Sequence, residues 1–419
     1  MLVLTPTYPP DTGAASIRVS EIVKKFSEYG QIYNLKILVF NPQVKDASSV
    51  NHWIKISKNI EILRFKPIFP YSFHKLQFIN PFTLLEWMIA LLKIKDYHPD
   101  LIFSTAPPPH PVISGYVYSK IKKSKHLVDI RDNWSASMNE FLNTQPFFVK
   151  YPFKLWNYFL TFIFILSCKH AALISCVHEA LKVKSQKLPV IIVPNGINIQ
   201  ELLTVKSTFD RDSVLRKFNI KFNNSTKFLI YTGDLSTPYY SPEIVLDAMQ
   251  KLILSGLDIR YIILGDGIQK EKIAMLAEEK GIKENIHLLG RKTHPEVLEL
   301  LLASDVAVFS QIKNDTQTQA KYAFSVKIYE YIACERPILM IANDSAIISH
   351  IITENNLGIS LNWDAVERSD SLKNALLNIL ENYTRYSQNV SAYYKNNLTE
   401  FDRATGLNEL STEVFKILK

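Results

Sequence analysis

Short apolar runs, separated by turns and helical patterns, fill the first half of the chain. Leu2–Leu4 is an uninterrupted apolar run, as expected of a strand buried in a parallel sheet. The next segment has helical spacing, with apolar side chains at Val19, Ile22, Val23 and Phe26. Further apolar runs predict strands at Leu35–Phe40, Asp100–Ser104, Leu127–Ile130, Ala172–Ser175 and Val190–Val193. Strands alternating with helices indicate an α/β domain with a parallel sheet.

The same alternation restarts after the turn signal Pro194-Asn195-Gly196. Strands are predicted at Lys227–Tyr231, Ile259–Leu264, Asn285–Leu288, Val306–Phe309, Pro337–Ile341 and Gly358–Leu361. We therefore predict two doubly wound, Rossmann-like domains, residues 1–196 and 197–401. The last helical stretch, Ala404–Leu418, can pack on either domain. Because ligands bind beyond the carboxyl ends of parallel strands, two such domains are expected to face a central cleft.

Composition limits the compartment and the class of protein. The length of 419 residues suits two or three domains. The three cysteines, Cys168, Cys176 and Cys334, show no ligand spacing, so we interpret them as reduced thiols of a cytoplasmic protein. The start of the chain does not resemble a signal peptide. The longest apolar runs are about ten residues, whereas a membrane span needs about 20, so no transmembrane helix is expected.

The net charge of +8 and the 23 Phe and 20 Tyr residues suit anionic phosphate ligands or an anionic membrane face. No nucleic-acid-binding module is recognisable, and a lysine-rich genome explains part of the charge. Two stretches, Phe65–Lys95 and Phe153–Cys168, combine aromatic and basic residues. Each predicts either a helix lying against a leaflet or a helix buried in the first domain.

The segment Ser325–Ala333 is predicted to begin a helix after a polar loop. Lys327 and Glu330 then share one face of the helix. Free amides at a helix start and an ammonium attract a diphosphate, and a carboxylate one turn later can accept hydrogen bonds from ribose hydroxyls. A surface ion pair on an amphipathic helix is the alternative.

Two glycine turns follow strands of the second domain. Gly233, in Tyr231–Leu235, would let the backbone approach a phosphate or sugar closely. The alternative is an ordinary βα turn. Gly265-Asp266-Gly267 lacks the third glycine of a dinucleotide fingerprint, which argues against a dinucleotide site.

Three loops of the first domain carry candidate chemistry. Gly13 follows Thr12, a predicted helix cap, and leaves room at the start of the first helix. Asp132 follows Arg131 at a strand end and could orient or deprotonate an acceptor hydroxyl, or the pair could stabilise the loop. His110 lies in a proline loop and could contact a sugar or a phosphate. The alternative is a histidine with a structural role only.

Read together, these segments resemble the retaining GT-B glycosyltransferase family, family 4 type, that includes sucrose synthases and bacterial polysaccharide transferases. The resemblance is closest to O-antigen and capsule members such as the fucosamine transferases. The similar segments are LTPTYPPDTGAASIR, DIRDNW, IIVPNGIN, LGDGIQKEKIAMLAEEKGIKENIHLLGR, FSVKIYEYIACERPIL and FDRATGLNELSTEVFKIL.

The resemblance implies a two-domain GT-B fold, with a terminal helix, residues 402–419, that crosses back to an acceptor-binding first domain. The second domain would bind a nucleotide-diphosphate sugar, UDP-type, without a metal or other cofactor. It implies donor contacts from Gly13, Gly233, Gly290, Arg291, Ser325, Val326, Lys327 and Glu330. It implies acceptor contacts from Arg18, His110, Arg131 and Asp132. Of these, Asp132, Lys327 and Glu330 would be catalytic.

The implied activity is transfer of a hexosyl or N-acetylhexosaminyl group, with retention, to a carbohydrate or polyprenyl-diphosphate-linked acceptor in surface-polysaccharide synthesis. Peripheral contact with the inner membrane face would suit that acceptor. Tyr322 stands where the family often has its first glutamate, and Asp234 and Tyr239 stand where it has phosphate-binding cations. The departures at Tyr322 and Asp234 keep open an inactive nucleotide-sugar-binding subunit. The paired-domain scaffold also suits a nucleotide-sugar epimerase, although the motif near Lys327 argues for transfer.

Overall fold

The computed structural model divides the protein into two compact units. It describes residues 1–11, 14–28, 34–40, 52–65, 68, 80–143, 145–178, 181, 189–236, 240–311, 325–344, 346–368 and 370–419. Unit 1 is Met1–Pro194 together with Ala404–Lys419, and unit 2 is Asn195–Arg403. These limits lie close to the boundaries drawn from the sequence, while the acceptor and donor roles of the two units stay predictions.

Unit 1 is built on an eight-stranded sheet within the described residues. Its strands are β1 Leu2–Thr5, β2 Leu35–Val39, β3 Ile54–Ser57, β4 Ile60–Arg64, β5 Leu101–Ala106, β6 Lys125–Ile130, β7 Leu173–Cys176 and β8 Val190–Ile192. The spatial order is β3-β4-β2-β1-β5-β6-β7-β8, and every neighbouring pair is parallel except β3 with β4. The sequence analysis did not predict β3 and β4. β3 is a short, largely exposed edge strand, and β4 is mostly buried but Glu61 interrupts its apolar run.

Helices cover both faces of this sheet. They are α1 Ala14–Glu28, α2 Pro81–Lys93, α3 His110–Lys122, α4 Trp134–Asn143 and α5 Phe147–Lys169. The C-terminal helix, Arg403–Leu418, contributes Leu410 and Val414 to the same buried cluster as Val3 and Phe103. Gly406 lets this helix approach the end of β8 closely, since a Cβ at this position would lie 2.6 Å from the carbonyl oxygen of Ile192.

Unit 2 contains a second, fully parallel sheet within its described part. Its strands are β9 Lys227–Thr232, β10 Ile259–Leu264, β11 Ile286–Gly290, β12 Val306–Ser310, β13 Ile338–Ile341 and β14 Gly358–Leu361. The order β11-β10-β9-β12-β13-β14 is that of a doubly wound dinucleotide-binding sheet, which switches direction between β9 and β12. The predicted fold of two Rossmann-like parallel-sheet units is therefore confirmed.

The helices of unit 2 pack on both faces of its sheet. They are α6 Ile199–Thr208, α7 Arg211–Lys217, α8 Leu246–Leu254, α9 Gln269–Glu279, α10 His294–Ala303, α11 Val326–Ala333, α12 Ile347–Glu354, α13 Trp363–Val366, α14 Ser371–Glu381, α15 Tyr383–Asn396 and α16 Leu398–Phe401, with 3₁₀ turns at Pro242–Val245 and Lys283–Asn285. In the part of the chain that the structure describes, none of the helices combines the length and apolar character needed to span a bilayer.

Candidate functional site

The candidate donor site lies at the carboxyl ends of β9, β10 and β11, next to the switch point of the second sheet. Backbone hydrogen bonds join the three strand ends, from Gly233 N to Leu264 O over 2.9 Å and from Gly265 N to Gly290 O over 3.0 Å. Gly265 has φ +140°, and a Cβ there would overlap the backbone of Gly233. Glycine is thus required for the close approach of these loops.

Lys327, the second residue of α11, reaches back to the end of β9. Its Nζ donates to the Tyr231 hydroxyl over 3.2 Å and lies 3.4 Å from the centroid of the Tyr240 ring. Burial lowers the pKa of Lys327 to about 7, although Glu330 and Asp234 act in the opposite direction. A bound anion would therefore strongly stabilise the charged form of Lys327.

Gly233 leaves the space that Lys327 uses. Its φ is +155°, and a Cβ would collide with Nζ and Cε of Lys327 and would lie 2.9 Å from the Tyr231 hydroxyl. The sequence predicted Gly233 and Lys327 as donor ligands from separate motifs, and the fold brings them into contact.

Glu330 lies one turn after Lys327 and is only 8% exposed. His294 Nε2 donates to Glu330 Oε1 over 3.0 Å, and His294 Nδ1 donates to Glu201 Oε2 over 2.7 Å. Since both ring nitrogens face carboxylates, the doubly protonated imidazolium satisfies both contacts. The hydrogen bond to Glu330 is the largest cause that raises the pKa of His294 to about 9, and burial opposes it.

Ser325 and Val326 begin α11. Ser325 is the N-cap, with extended φ and ψ, and its side chain makes no capping hydrogen bond. The amides of Val326 and Lys327 belong to the first helical turn and have no carbonyl partner within the helix. Unpaired amides at a helix start, together with the nearby Lys327 ammonium, suit an anion.

Gly290 and Arg291 follow β11. Gly290 has φ +71°, and the Arg291 amide donates to Asp266 Oδ2 over 3.2 Å. The Arg291 side chain is exposed. Asp266, which was not predicted as a site residue, thus holds the β10 and β11 loops together and also pairs with Lys270 over 3.0 Å.

Arg18 of unit 1 is buried. Its guanidinium makes two hydrogen bonds to Asp129, of 3.0 and 2.8 Å, and one of 2.6 Å to the Val193 carbonyl. Burial alone would raise the pKa of Asp129, but Arg18 and the Ser175 hydroxyl outweigh it and hold that pKa below its usual value. These contacts give Arg18 a structural role, and its acceptor role stays a prediction.

The other acceptor candidates have different environments. His110 is fully buried at the start of α3, and its acceptor role stays a prediction. Arg131 donates to the carbonyls of Ala106 and Pro107 over 3.2 and 2.5 Å. Its Nη1 is buried and has no hydrogen-bond partner among the described residues. Burial raises the pKa of the neighbouring Asp132, whose Oδ1 accepts the Asn133 amide over 2.7 Å.

Gly13, Tyr239 and Tyr322 lie outside the described residues, as does most of the polar loop before α11. The sequence analysis missed His294, Glu201 and Tyr240, which join the site only through the fold. For His294 the available signal was weak, because Thr293-His294-Pro295-Glu296 is mainly a helix-capping pattern. Among the described residues, no three His, Cys, Asp or Glu side chains are grouped as a metal centre requires.

Residues 215–397 match the family model described as Glycosyl transferases group 1, a region covering less than half of the 419-residue chain. Over this region the chain is similar to the glycosyltransferases of group 1. An uncharacterized glycosyltransferase of Methanocaldococcus jannaschii is 24% identical over 238 residues. That relative is matched over 55% of its length and 55% of this chain, so the match spans about half of each protein.

Solved structures agree with the group 1 match at the level of fold. Sucrose-phosphate synthase from Thermosynechococcus elongatus has a TM-score of 0.66 and 13% identity, with 100% of this chain and 98% of that chain covered. Anabaena HepE in complex with UDP has a TM-score of 0.64 and 13% identity, covering 99% and 100%. WaaG, a glycosyltransferase involved in lipopolysaccharide biosynthesis, has a TM-score of 0.64 and 14% identity, covering 98% of both chains.

Proposed function

We propose that the protein is a glycosyltransferase that moves a sugar from a nucleotide-diphosphate donor bound by unit 2. The observation that carries the proposal is the pairing, within one turn of α11, of a half-buried ammonium at Lys327 with a buried carboxylate at Glu330. The first suits a diphosphate and the second suits vicinal ribose hydroxyls. The family match over residues 215–397 supports the same activity.

Departure of a nucleoside diphosphate develops negative charge, which fixed positive groups stabilise more strongly as the charge grows. In the proposed site, Lys327 and the first amides of α11 supply that stabilisation. Ser325, Val326 and Gly233 would line the diphosphate, and Gly290 and Arg291 would lie beside the base. Glu330 would hold the ribose, with His294 fixing one of its oxygens.

The finer assignments follow the resemblance stated above. We propose a UDP-type donor, a hexosyl or N-acetylhexosaminyl group, retention of configuration and no metal requirement. The acceptor is proposed to be a carbohydrate or polyprenyl-diphosphate-linked sugar of O-antigen or capsule synthesis, bound by unit 1 at the cytoplasmic face of the membrane. Asp132 and Arg131 remain the candidates to contact it, with Asp132 facing the reacting hydroxyl.

An assay of donors and acceptors tests the activity. The protein is incubated with a panel of nucleotide sugars and a lipid-diphosphate sugar, and nucleotide release and product mass are followed. A product heavier by one sugar residue supports transfer. An isomerised donor would support the epimerase alternative, and nucleotide binding without turnover would support an inactive binding subunit; the family match disfavours both.

A deoxyribose donor tests the role of Glu330. We expect Glu330→Gln to lower kcat/KM for the ribose donor by about ten- to hundredfold, the usual effect of losing a hydrogen bond to a charged group. With a 2′,3′-dideoxyribose donor, wild type and Glu330→Gln should be equally slow. If the variant lost the same factor with both donors, Glu330 would act elsewhere than on the ribose.

A further inference from the structure

Helix α5, Phe147–Lys169, is apolar on two opposite faces. One face is buried, with Leu160, Phe164 and Cys168 packed in the core of unit 1. The sequence left open whether the aromatic stretch Phe153–Cys168 is buried or faces a leaflet. In the part of the chain that the structure describes, one face of this stretch is buried and the opposite face is exposed.

The uncovered face is a continuous aromatic stripe. Its members are Phe147, Phe148, Tyr151, Leu155, Tyr158, Phe159 and Phe162, which we call the α5 stripe. Phe147 is 75% exposed, Phe148 77% and Leu155 74%. At 100° per residue, these positions occupy about one third of the helix circumference, and the stripe is about 22 Å long. Single exposed apolar side chains are ordinary, but a stripe of this length indicates an interaction surface.

The charges on α5 itself have one sign. Between Phe147 and Lys169 the sequence contains no Asp or Glu, whereas Lys150 and Lys154 flank the stripe and Lys169 ends the helix. Lysine beside exposed aromatic rings suits an anionic lipid surface, in which the rings enter the headgroup region and the ammonium groups remain at the phosphates. A second copy docked through the same face would bring like charges together.

We propose that the α5 stripe docks the protein on an anionic bilayer surface, with the helix lying in the plane of the interface. The inference deepens the proposed function and rests on it for its purpose, since a polyprenyl-linked acceptor is presented at such a surface. Lys150 and Lys154 attract the leaflet, and the rings of Phe147, Phe148 and Tyr151, with the Leu155 side chain, supply the apolar contact.

A labelled thiol detects this docking directly. Cys168, Cys176 and Cys334 are all buried, so Phe148→Cys provides an exposed thiol for an environment-sensitive fluorophore. We expect its emission to shift to the blue on vesicles of phosphatidylcholine mixed with phosphatidylglycerol, and much less on phosphatidylcholine alone. A label that shows no shift on the mixed vesicles would overturn the proposal.

Flotation with the same vesicles provides the quantitative test. Phe147→Ser with Phe148→Ser should weaken partitioning by about tenfold or more, as expected when two aromatic side chains no longer leave water. Lys150→Gln with Lys154→Gln should remove much of the salt dependence. The matched control is Leu254→Ser with Met275→Ser, two side chains of unit 2 that are 81% and 63% exposed, which should bind as wild type.

Two outcomes contradict the proposal and leave the proposed activity untouched. If the stripe variants float as well as wild type, the membrane contact lies elsewhere. If wild type is a dimer without lipid and Phe147→Ser with Phe148→Ser is a monomer, the stripe is an interface between copies. A water-soluble acceptor separates the two hypotheses: the stripe variants should turn it over at the wild-type rate, whereas no turnover by wild type or variants would count against the activity alone.

Discussion

His294 Nε2 lies 3.0 Å from Glu330 Oε1, and the other ring nitrogen of His294 is held by Glu201 at 2.7 Å. A residue at the start of α10 therefore fixes the carboxylate of α11 that we propose to bind ribose. Only one oxygen of Glu330 is engaged by His294, which leaves the other to accept from a ligand hydroxyl. Because an imidazolium satisfies both contacts, the arrangement depends on pH.

The first prediction concerns that dependence. The pKa of His294 is raised to about 9 in the folded protein, above its ordinary value of about 6.5. The charged ring therefore stabilises the fold fully below the pKa that His294 has in the unfolded state. This stabilisation is lost as the pH rises through the pKa that His294 has in the folded state. His294→Gln should lower the thermal unfolding midpoint more below about pH 6.5 than above about pH 9.

His350→Gln is the matched control, because His350 is an exposed histidine 4.0 Å from Glu354. Its effect on the unfolding midpoint should be small at every pH, as for other surface ion pairs. An unfolding midpoint lowered equally at low and high pH by His294→Gln would show that the ring contributes packing rather than charge.

The second prediction concerns proton uptake by Lys327. Burial lowers the pKa of this lysine to about 7 in the free protein, and an adjacent diphosphate should raise it again. At about pH 8, nucleotide diphosphate binding should therefore take up protons, and affinity should fall as pH rises. Calorimetry in two buffers with different ionisation enthalpies measures the uptake.

Lys327→Arg separates charge from protonation. Arginine keeps its charge throughout this range, so binding by the variant should show little proton uptake and a flatter pH profile. Equal proton uptake in both proteins would assign the proton to another group.

Much of this architecture could be predicted because parallel strands leave continuous apolar runs. β10 was predicted at its observed limits, Ile259–Leu264, and β9 was short by one residue. The edge strand β3 was missed because its pattern is mostly exposed. Pairwise contacts between distant positions could not be predicted, since no local spacing connects His294 to Glu201 or Arg18 to Asp129.

The third prediction tests the space beside Lys327. In Gly233→Ala, the new methyl group would displace the lysine ammonium and strain the backbone at φ +155°. Gly256→Ala is the control, because Gly256 has φ +95° but no atom within 4 Å of the point where its new methyl group would lie. Both variants should lose about 1–2 kcal/mol of stability from the positive φ.

Only Gly233→Ala should also impair the donor site. We expect a rise in donor KM of about tenfold or more, the effect of misplacing one charge-assisted contact. Saturation kinetics at several donor concentrations measures it. A normal donor KM in Gly233→Ala would show that Lys327 does not need its present position to bind the diphosphate.

The last prediction decides between structure and acceptor binding for Arg18. Arg18 is 4% exposed and Asp129 is fully buried, so Arg18→Met would leave a buried carboxylate without its cation. Such a change typically costs about 3–5 kcal/mol, and urea unfolding should show a loss of this size in unit 1. Lys217→Met, which breaks an exposed pair with Glu299, should cost about 0–1 kcal/mol.

Combining Arg18→Met with Asp129→Leu should recover part of the loss, because the unpaired charge is then gone. Unchanged unfolding of Arg18→Met together with a raised acceptor KM would instead return Arg18 to the acceptor site.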